Sequence, residues 1–304
     1  MSVKKVATKR RVVKKAKKPV LSNPFNTLPA DSIAPGKFVL IYGEPGCYKT
    51  TTAAQAPHCL FVSTHDEKGI LEAVQAKVVP PTLKDSIIVL PELAEPDNIP
   101  SSGGHPAWNE LMNTLDIFAG DDHDYRTLVL DTASGLQSVC HQHCASVLFK
   151  GDMNDPKGFM NYQTGYLKSA EQFWNGEFLA RCNRITSAGK NIILICHSSR
   201  MKIPNYEGSD FDCYAPSLRK GANSENIYEY TMRTVSAVLF FGKHSVVTSN
   251  EQKKKRISSE INFIGVSDEG WYKAKNWYNL NSEIDVGSSA KETWANLSKV
   301  LPIT

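Results

Sequence analysis

The chain has 304 residues, of which 41% are hydrophobic and 22% are charged, as is ordinary for a soluble globular protein. No apolar run reaches the roughly 18–20 residues that a membrane-spanning helix needs, so we expect no membrane association. Seven cysteines, an odd number without framework spacing, favour a reducing compartment over a disulfide scaffold. We therefore expect a cytoplasmic protein, in the host cell if the protein is viral.

The net charge of +4 is unevenly distributed along the chain. Residues 1–18 contain nine Lys or Arg residues, among them Lys14 and Lys15, and no acid, so subtracting those nine charges leaves −5 for the remainder. A basic arm on a mildly acidic body favours a polyanionic partner, most simply nucleic acid, although a solubilising tail is the alternative. Its few apolar residues predict a disordered arm over residues 1–20, followed by a linker over residues 21–36.

A strand, a glycine loop and a helix are predicted next, over residues 37–51. Gly43, Lys49 and Thr50 match the P-loop pattern G-x-x-x-x-G-K-[ST], with Tyr48 in place of the second glycine. Backbone N–H groups of such a loop, together with the helix dipole, hold phosphate. The expected nucleotide contacts are Gly43, Glu44, Pro45, Gly46, Cys47, Tyr48, Lys49, Thr50 and Thr51.

Two side chains of this loop have expected roles towards ATP and Mg²⁺. Lys49 would reach the β- and γ-phosphates, and the Thr50 hydroxyl would ligate the metal ion. The alternative is an ordinary strand–turn–helix in which Lys49 has no special partner. The order of strand, loop and helix favours nucleotide binding.

Three further apolar strands end in polar residues at what should be the same sheet edge. The strand over residues 59–63 leads to Glu67, which we expect to orient the attacking water, with Asp66 as the alternate. The strand over residues 127–131 ends at Asp131, which would hold Mg²⁺ through water. The strand that begins at residue 191 leads to His197, a candidate sensor of the γ-phosphate, or simply a histidine at a strand end.

Two polar segments are candidates for contacting nucleic acid. Residues 150–166 combine aromatic residues with Lys157, as in single-strand binding loops, although a plain surface loop is equally compatible. Residues 200–220 contain Arg200, Lys202 and Lys220 and are expected to form a mobile loop that couples nucleotide state to a ligand.

The sequence Cys140-His141-Gln142-His143-Cys144 has two interpretations. On a helix, Cys140 and Cys144 would share a face, as in a zinc site, but a tetrahedral site needs ligands from another segment. The other interpretation is a helix packed through its apolar residues and cysteines.

Several of these motifs occur together in a known order, and the chain resembles phage-type RecA-like P-loop nucleotide-binding ATPases over roughly residues 36–285. That group includes RecA-like single-strand annealing proteins. The matching segments are Gly43 to Thr51, Glu67 to Gly69, Leu128 to Leu136, Ile192 to Lys202, Tyr214 to Lys220, Ala237 to Phe240 and Ala274 to Asn276.

The resemblance implies an α/β fold with a RecA-like core over residues 37–285, in which a mostly parallel central sheet is flanked by helices. A C-terminal tail or helix would follow over residues 286–304. It also implies ATP and Mg²⁺ as ligands, and a role on single-stranded DNA in recombination, annealing, repair or replication. A homo-oligomeric ring or filament is implied, with a single-strand binding protein as a possible further partner. Lys49, Thr50, Asp131, Glu67 and His197 take the roles given above.

Three departures from the family pattern concern catalysis. Tyr48 replaces a glycine, Trp277 follows Lys275 where a Lys-x-Arg pair would reach a neighbouring subunit, and Ser236 replaces an acid. The first two argue against fast, oligomer-stimulated hydrolysis and leave ATP binding intact. An ATPase is therefore expected, with a non-hydrolysing nucleotide-gated binding module and a P-loop kinase as alternatives.

Overall fold

The computed structural model describes residues 35–205, 208–221, 224–249, 255–280, 283–301 and 303. The predicted basic arm, with Lys14 and Lys15, lies outside the described residues. In the part described, no helix is both long enough and apolar enough to span a membrane.

The strands form one extended sheet whose centre is parallel. Their order across it is β10-β8-β7-β1-β5-β4-β2-β3, while β6 pairs with β5 and β9 with β7. Pairing is parallel from β7 through β1, β5, β4 and β2 to β3, and antiparallel at β6, β8, β9 and β10. The strands are β1 (Phe38–Gly43), β2 (Cys59–Ser63), β3 (Ile87–Val89), β4 (Thr127–Asp131), β5 (Asn191–Ile203), β6 (Phe211–Pro216), β7 (Ala237–Ser249), β8 (Lys255–Gly265), β9 (Lys275–Asn276) and β10 (Ile284–Asp285).

Helices cover both faces of this sheet. One long helix runs from Thr164 to Ser187, and its middle part, Ser169–Leu179, is π-helical. The helices are α1 (Lys49–Ala53), α2 (Gly69–Gln75), α3 (Pro106–Ala119), α4 (Ala133–Leu148), α5 (Thr164–Lys168), α6 (Ala180–Ser187), α7 (Ile227–Thr234) and α8 (Ala290–Val300). The predicted α/β fold, with a mostly parallel central sheet and flanking helices, is confirmed.

Side chains alternate along β1 between two hydrophobic cores, one on each face of the sheet. Phe38, Leu40 and Tyr42 join the core beneath α3, α4 and the long helix, whereas Val39 and Ile41 join the core that includes Leu297 of α8. A strand buried on both faces reads as a continuous apolar run, because neither face is exposed to water.

The structure differs from the sequence-based expectation over residues 200–220. This segment was expected to be a mobile loop, but β5 continues to Ile203 and forms an antiparallel hairpin with β6. Cys213 and Ala215, two residues apart on β6, are both buried. The sequence of this polar segment therefore did contain the period-two spacing of buried residues that is typical of a strand. The β7–β8 hairpin was likewise not predicted, because only the apolar beginning of β7 reads as a buried strand.

Candidate nucleotide site

The P-loop joins the end of β1 to the start of α1 and is anchored on the neighbouring strand β7. Gly43 has φ of 151°, and a Cβ there would lie 1.9 Å from the carbonyl oxygen of Phe241, so only glycine fits. The backbone N–H of Glu44 donates to the same carbonyl at 3.2 Å. The loop therefore starts at a fixed position on the carboxyl edge of the sheet.

Tyr48 occupies the second glycine position of the P-loop pattern and has a left-handed backbone conformation. Its φ of 60° and ψ of 18° lie in the left-handed region that glycine adopts at little cost and other residues adopt less readily. The side chain is 43% exposed. Tyr48 thus combines a glycine-like backbone conformation with an aromatic ring at the surface beside the loop.

Lys49 is folded over the loop that precedes it. Its Nζ donates to the carbonyl oxygens of Gly43 and Glu44 at 3.0 and 2.7 Å. Burial lowers the pKa of the Lys49 amine, against the opposing pull of neighbouring groups such as Asp131. The ammonium group is therefore held within the loop that would surround the phosphates.

Thr50 and Asp131, the two expected metal ligands, are in direct contact although they are 81 positions apart; the Thr50 Oγ1 donates to Asp131 Oδ2 at 2.9 Å. Burial raises the pKa of Asp131 to about 6, and its Oδ1 has no hydrogen-bond partner among the described residues. A buried carboxylate oxygen without a partner is costly, and a hard cation such as Mg²⁺ prefers oxygen ligands. These two residues therefore fit a Mg²⁺ site.

Glu67 and His197 form a hydrogen-bonded pair, with His197 Nε2 2.7 Å from Glu67 Oε1. This bond lowers the pKa of the Glu67 carboxyl and raises the pKa of the His197 imidazole. The Ser63 hydroxyl donates to the Glu67 carbonyl at 2.8 Å and so fixes the turn after β2. Asp66, the alternate to Glu67, is exposed, and its nearest ionic partner is His65 at 3.8 Å.

The order of strands explains why these residues meet. In the sheet register Gly43 lies opposite His197, and Ser63 lies opposite Asp131. Because β1, β5, β4 and β2 are adjacent and parallel, their carboxyl ends deliver the P-loop, His197, Asp131 and Glu67 to one edge. Lys49, Glu67, Asp131 and His197 also influence one another's pKa values.

The candidate nucleic-acid residues lie on different elements. Arg200 and Lys202 are exposed on the β5–β6 hairpin, and Lys202 Nζ is 3.4 Å from an Asp210 oxygen. Lys220 follows β6 and places its Nζ 4.1 Å from the centre of the Tyr228 ring.

The loop before α5 exposes Lys157. Of its aromatic residues, Phe159 is buried in the core, whereas Tyr162 is 92% exposed. Lys275, the expected inter-subunit residue, lies on β9 with its Nζ 5.2 Å from the centre of the Trp277 ring.

The cysteines and histidines of α4 pack the helix. Cys140 and Cys144 are buried and donate to the carbonyl oxygens of Ser169 and Gly165, each at 3.4 Å. Burial lowers the pKa of His143 to about 4, and its Nδ1 accepts from the His105 backbone N–H at 3.1 Å. Within the described residues, no group of three or more His, Cys, Asp or Glu side chains could hold a metal ion.

Sequence reasoning missed a polar connection between the hairpin and the P-loop. The Tyr214 hydroxyl, on β6, donates to Glu44 Oε1 at 3.2 Å, and Arg200 Nη2 lies 3.5 Å from the same hydroxyl. The Tyr42 hydroxyl bonds the backbone of the same region, at the Tyr214 and Lys273 carbonyls. The only sequence signal was a tyrosine at a strand position, which does not reveal a partner 170 residues away.

Comparisons with known proteins identify the family. A solved KaiC-like protein from the hyperthermophilic archaeon Pyrococcus horikoshii OT3 is 11% identical, with 84% of this chain and 88% of that chain covered and a TM-score of 0.40. No curated protein matches the sequence. Residues 36–253, most of the chain and all of the candidate site, match the family described as AAA domain. The chain therefore belongs to the AAA domain family, with an ATP-binding P-loop ATPase domain of the kind that generally binds nucleotide with Mg²⁺.

Proposed function

We propose that this protein hydrolyses ATP and acts on single-stranded DNA in recombination, annealing, repair or replication. The hydrolytic part is supported by the contact between Thr50 and Asp131 beside the Glu67–His197 pair. The DNA part is supported chiefly by the polar connection from Arg200 through Tyr214 to Glu44.

In this proposal different residues of the site contact the phosphates and the metal ion of the nucleotide. The backbone N–H groups of residues 43–51 surround the phosphates, and Lys49 exchanges its two carbonyl acceptors for phosphate oxygens. Thr50 and Asp131 would hold Mg²⁺, which would supply positive charge to the bound phosphates.

Glu67 is the group that orients water and accepts its proton. The hydrogen bond from His197 lowers the pKa of the Glu67 carboxyl, which keeps the carboxylate ionised at neutral pH and also lowers its basicity. His197 holds this carboxylate at 2.7 Å and lies at the point where β5 continues into the hairpin. A change at the γ-phosphate therefore has a short route, through Glu67 and His197, to the segment that carries Arg200.

The hairpin is the proposed DNA-contacting element. Arg200 and Lys202 are exposed cations on its first strand, three and five residues after His197. Phosphate contacts by such residues supply the salt-dependent part of single-strand binding. The basic residues of the N-terminal arm add to the expected affinity.

The test replaces both hairpin cations, as Arg200→Ala with Lys202→Ala, and measures the affinity for a labelled single-stranded oligonucleotide by fluorescence anisotropy. We expect weaker binding, and a slope of log K against log salt that is shallower by about 0.7 for each phosphate that the variant no longer neutralises. The control removes two exposed lysines on other elements, Lys84→Ala with Lys299→Ala, and should bind as the wild type does. Equal affinities for the hairpin variant and the control would contradict the hairpin's role.

A non-hydrolysing nucleotide-gated module is the second candidate function. Two observations favour it: Lys49 donates to two carbonyl groups of its own loop, and Glu67 is hydrogen-bonded to His197. Tight ATP binding without release of phosphate, with or without DNA, would distinguish this candidate from an ATPase.

We also propose that copies of the chain assemble side by side in a ring or filament, with Lys275 near the neighbour's nucleotide. Beside Lys275, Trp277 is 68% exposed.

A further inference from the structure

A cavity of about 350 Å³ lies beside the P-loop. Its walls are Tyr48 and Thr51 of the loop and α1, Val78 after α2, and residues 288–291 at the start of α8. The volume falls within the roughly 300–1,000 Å³ usual for small-molecule sites. The Tyr48 and Val78 side chains are 43% and 54% exposed, so both present apolar surface that a ligand could cover.

The position of this cavity follows from the order of groups along the P-loop. In the P-loop pattern the lysine, here Lys49, contacts the β- and γ-phosphates of the nucleotide. The hydroxyl of the next residue, Thr50, donates to Asp131. Ribose and base must leave the phosphate cradle at its other end, past the α-phosphate. Thr51, the next residue, donates from its hydroxyl to the Tyr48 carbonyl at 3.2 Å and lines the cavity.

The far wall of the cavity is a fixed part of the domain. The Ser289 hydroxyl caps α8 by accepting from the Glu292 N–H at 3.2 Å. Ala290 and Leu297 of α8 are buried, and Leu297 shares a core with Val39 of β1 and Ala53 of α1. Residues 288–291 lie beyond the segment that matches the AAA domain family.

We propose that this cavity holds the base of the nucleotide bound at the P-loop, with the Tyr48 ring as its stacking surface. The inference rests on the proposed function, because it assigns the base end of the same ligand. An aromatic ring can stack on the face of any base, and Ser288, Ser289 and Lys291 are polar residues that line the same cavity. Tyr48, which stands where the P-loop pattern has a glycine, therefore supplies a ring that contacts the base.

The test compares two ligands that the protein does not consume, ADP and pyrophosphate, each with Mg²⁺, by isothermal titration calorimetry. The ratio of the Kd of pyrophosphate to the Kd of ADP reports the contribution of base and ribose. Tyr48→Gly removes the ring and suits the left-handed backbone, so the fold should be retained. We expect the ratio to fall by about 5- to 150-fold, as when one stacking surface is removed, and Tyr48→Phe to keep it near the wild-type value.

A matched control is available at Tyr162, which also has a positive φ, of 47°, and is 92% exposed in the loop before α5. Tyr162→Gly should leave the ratio unchanged. A Tyr48→Gly protein with the wild-type ratio, including one that binds both ligands equally less well, would overturn the inference and leave phosphate binding at the P-loop intact. If the wild type binds neither ligand, the proposed function fails and the inference fails with it.

Discussion

At the scale of single residues, Glu67 is the side chain on which hydrolysis depends most directly in the proposed function. We predict that Glu67→Gln lowers turnover at saturating ATP by about 100-fold or more, the usual contribution of a general base, because the amide cannot accept the proton. The Kd for ATP should change little, since Gln keeps the shape of Glu. Steady-state phosphate release and calorimetry measure the two quantities. Glu72→Gln, at an exposed position of α2, is the matched control, and equal turnover in both variants would assign the water-activating role elsewhere.

The Glu67–His197 pair also predicts a pH dependence of stability. The pKa of His197 is raised, so its contribution is present below the ordinary histidine value of 6.5 and is lost as pH rises through the folded-state pKa. The pKa of Glu67 is lowered, so its contribution is present above the ordinary value of 4.5 and is lost as pH falls. The pair therefore stabilises the fold most between these two values.

The corresponding variant is His197→Gln, which keeps a hydrogen-bonding side chain and removes the titration. Because the His197 side chain is about half exposed, we expect the loss in free energy of unfolding to be modest, about 0.2–1 kcal/mol at pH 5.5, and smaller at pH 8.5. Urea unfolding at the two pH values measures it. A loss that is larger at pH 8.5 would show that the charged pair is not the cause.

At the scale of secondary-structure elements, the docking of α8 can be tested in the core. Leu297 is 3% exposed and packs in the core shared by β1 and α1, so Leu297→Ala should lower the free energy of unfolding by about 2–5 kcal/mol. Val300, on the same helix, is 41% exposed, and Val300→Ala should change it by less than about 0.5 kcal/mol. Urea unfolding followed by circular dichroism compares them. Similar losses in both variants would mean that α8 does not dock as described.

The elements differ in how far the sequence predicts them. The buried parallel strands were predictable, because strands covered on both faces are continuous apolar runs, and the P-loop pattern identifies which of them begins the site. The outer hairpins were not, since β5 after Cys196 and β7 after Phe241 are mostly polar and lack both a continuous apolar run and a regular alternation. Contacts such as Glu67–His197, 130 positions apart, were predictable only as neighbours at one sheet edge, because a pairing distance depends on register and side-chain conformation.

At the scale of the whole molecule, the fold brings the hairpin and the nucleotide site together on one strand. β5 supplies His197 at the sheet edge and then Arg200 and Lys202 beyond it, while Tyr214 links the partner strand to Glu44. In the proposed function, nucleotide and DNA therefore act on the same continuous element. In such an arrangement the effect of one ligand on the affinity for the other must be reciprocal.

Steady-state phosphate release from Mg²⁺-ATP, with and without single-stranded DNA at two salt concentrations, tests the central claim most directly. We predict that DNA stimulates release, that stimulation fades at the higher salt concentration as phosphate contacts are screened, and that release vanishes in Lys49→Ala. Removal of the Lys49 ammonium eliminates the charge placed at the β- and γ-phosphates. Tight ATP binding with no release under any of these conditions would contradict the proposed ATPase and leave a nucleotide-gated binding protein.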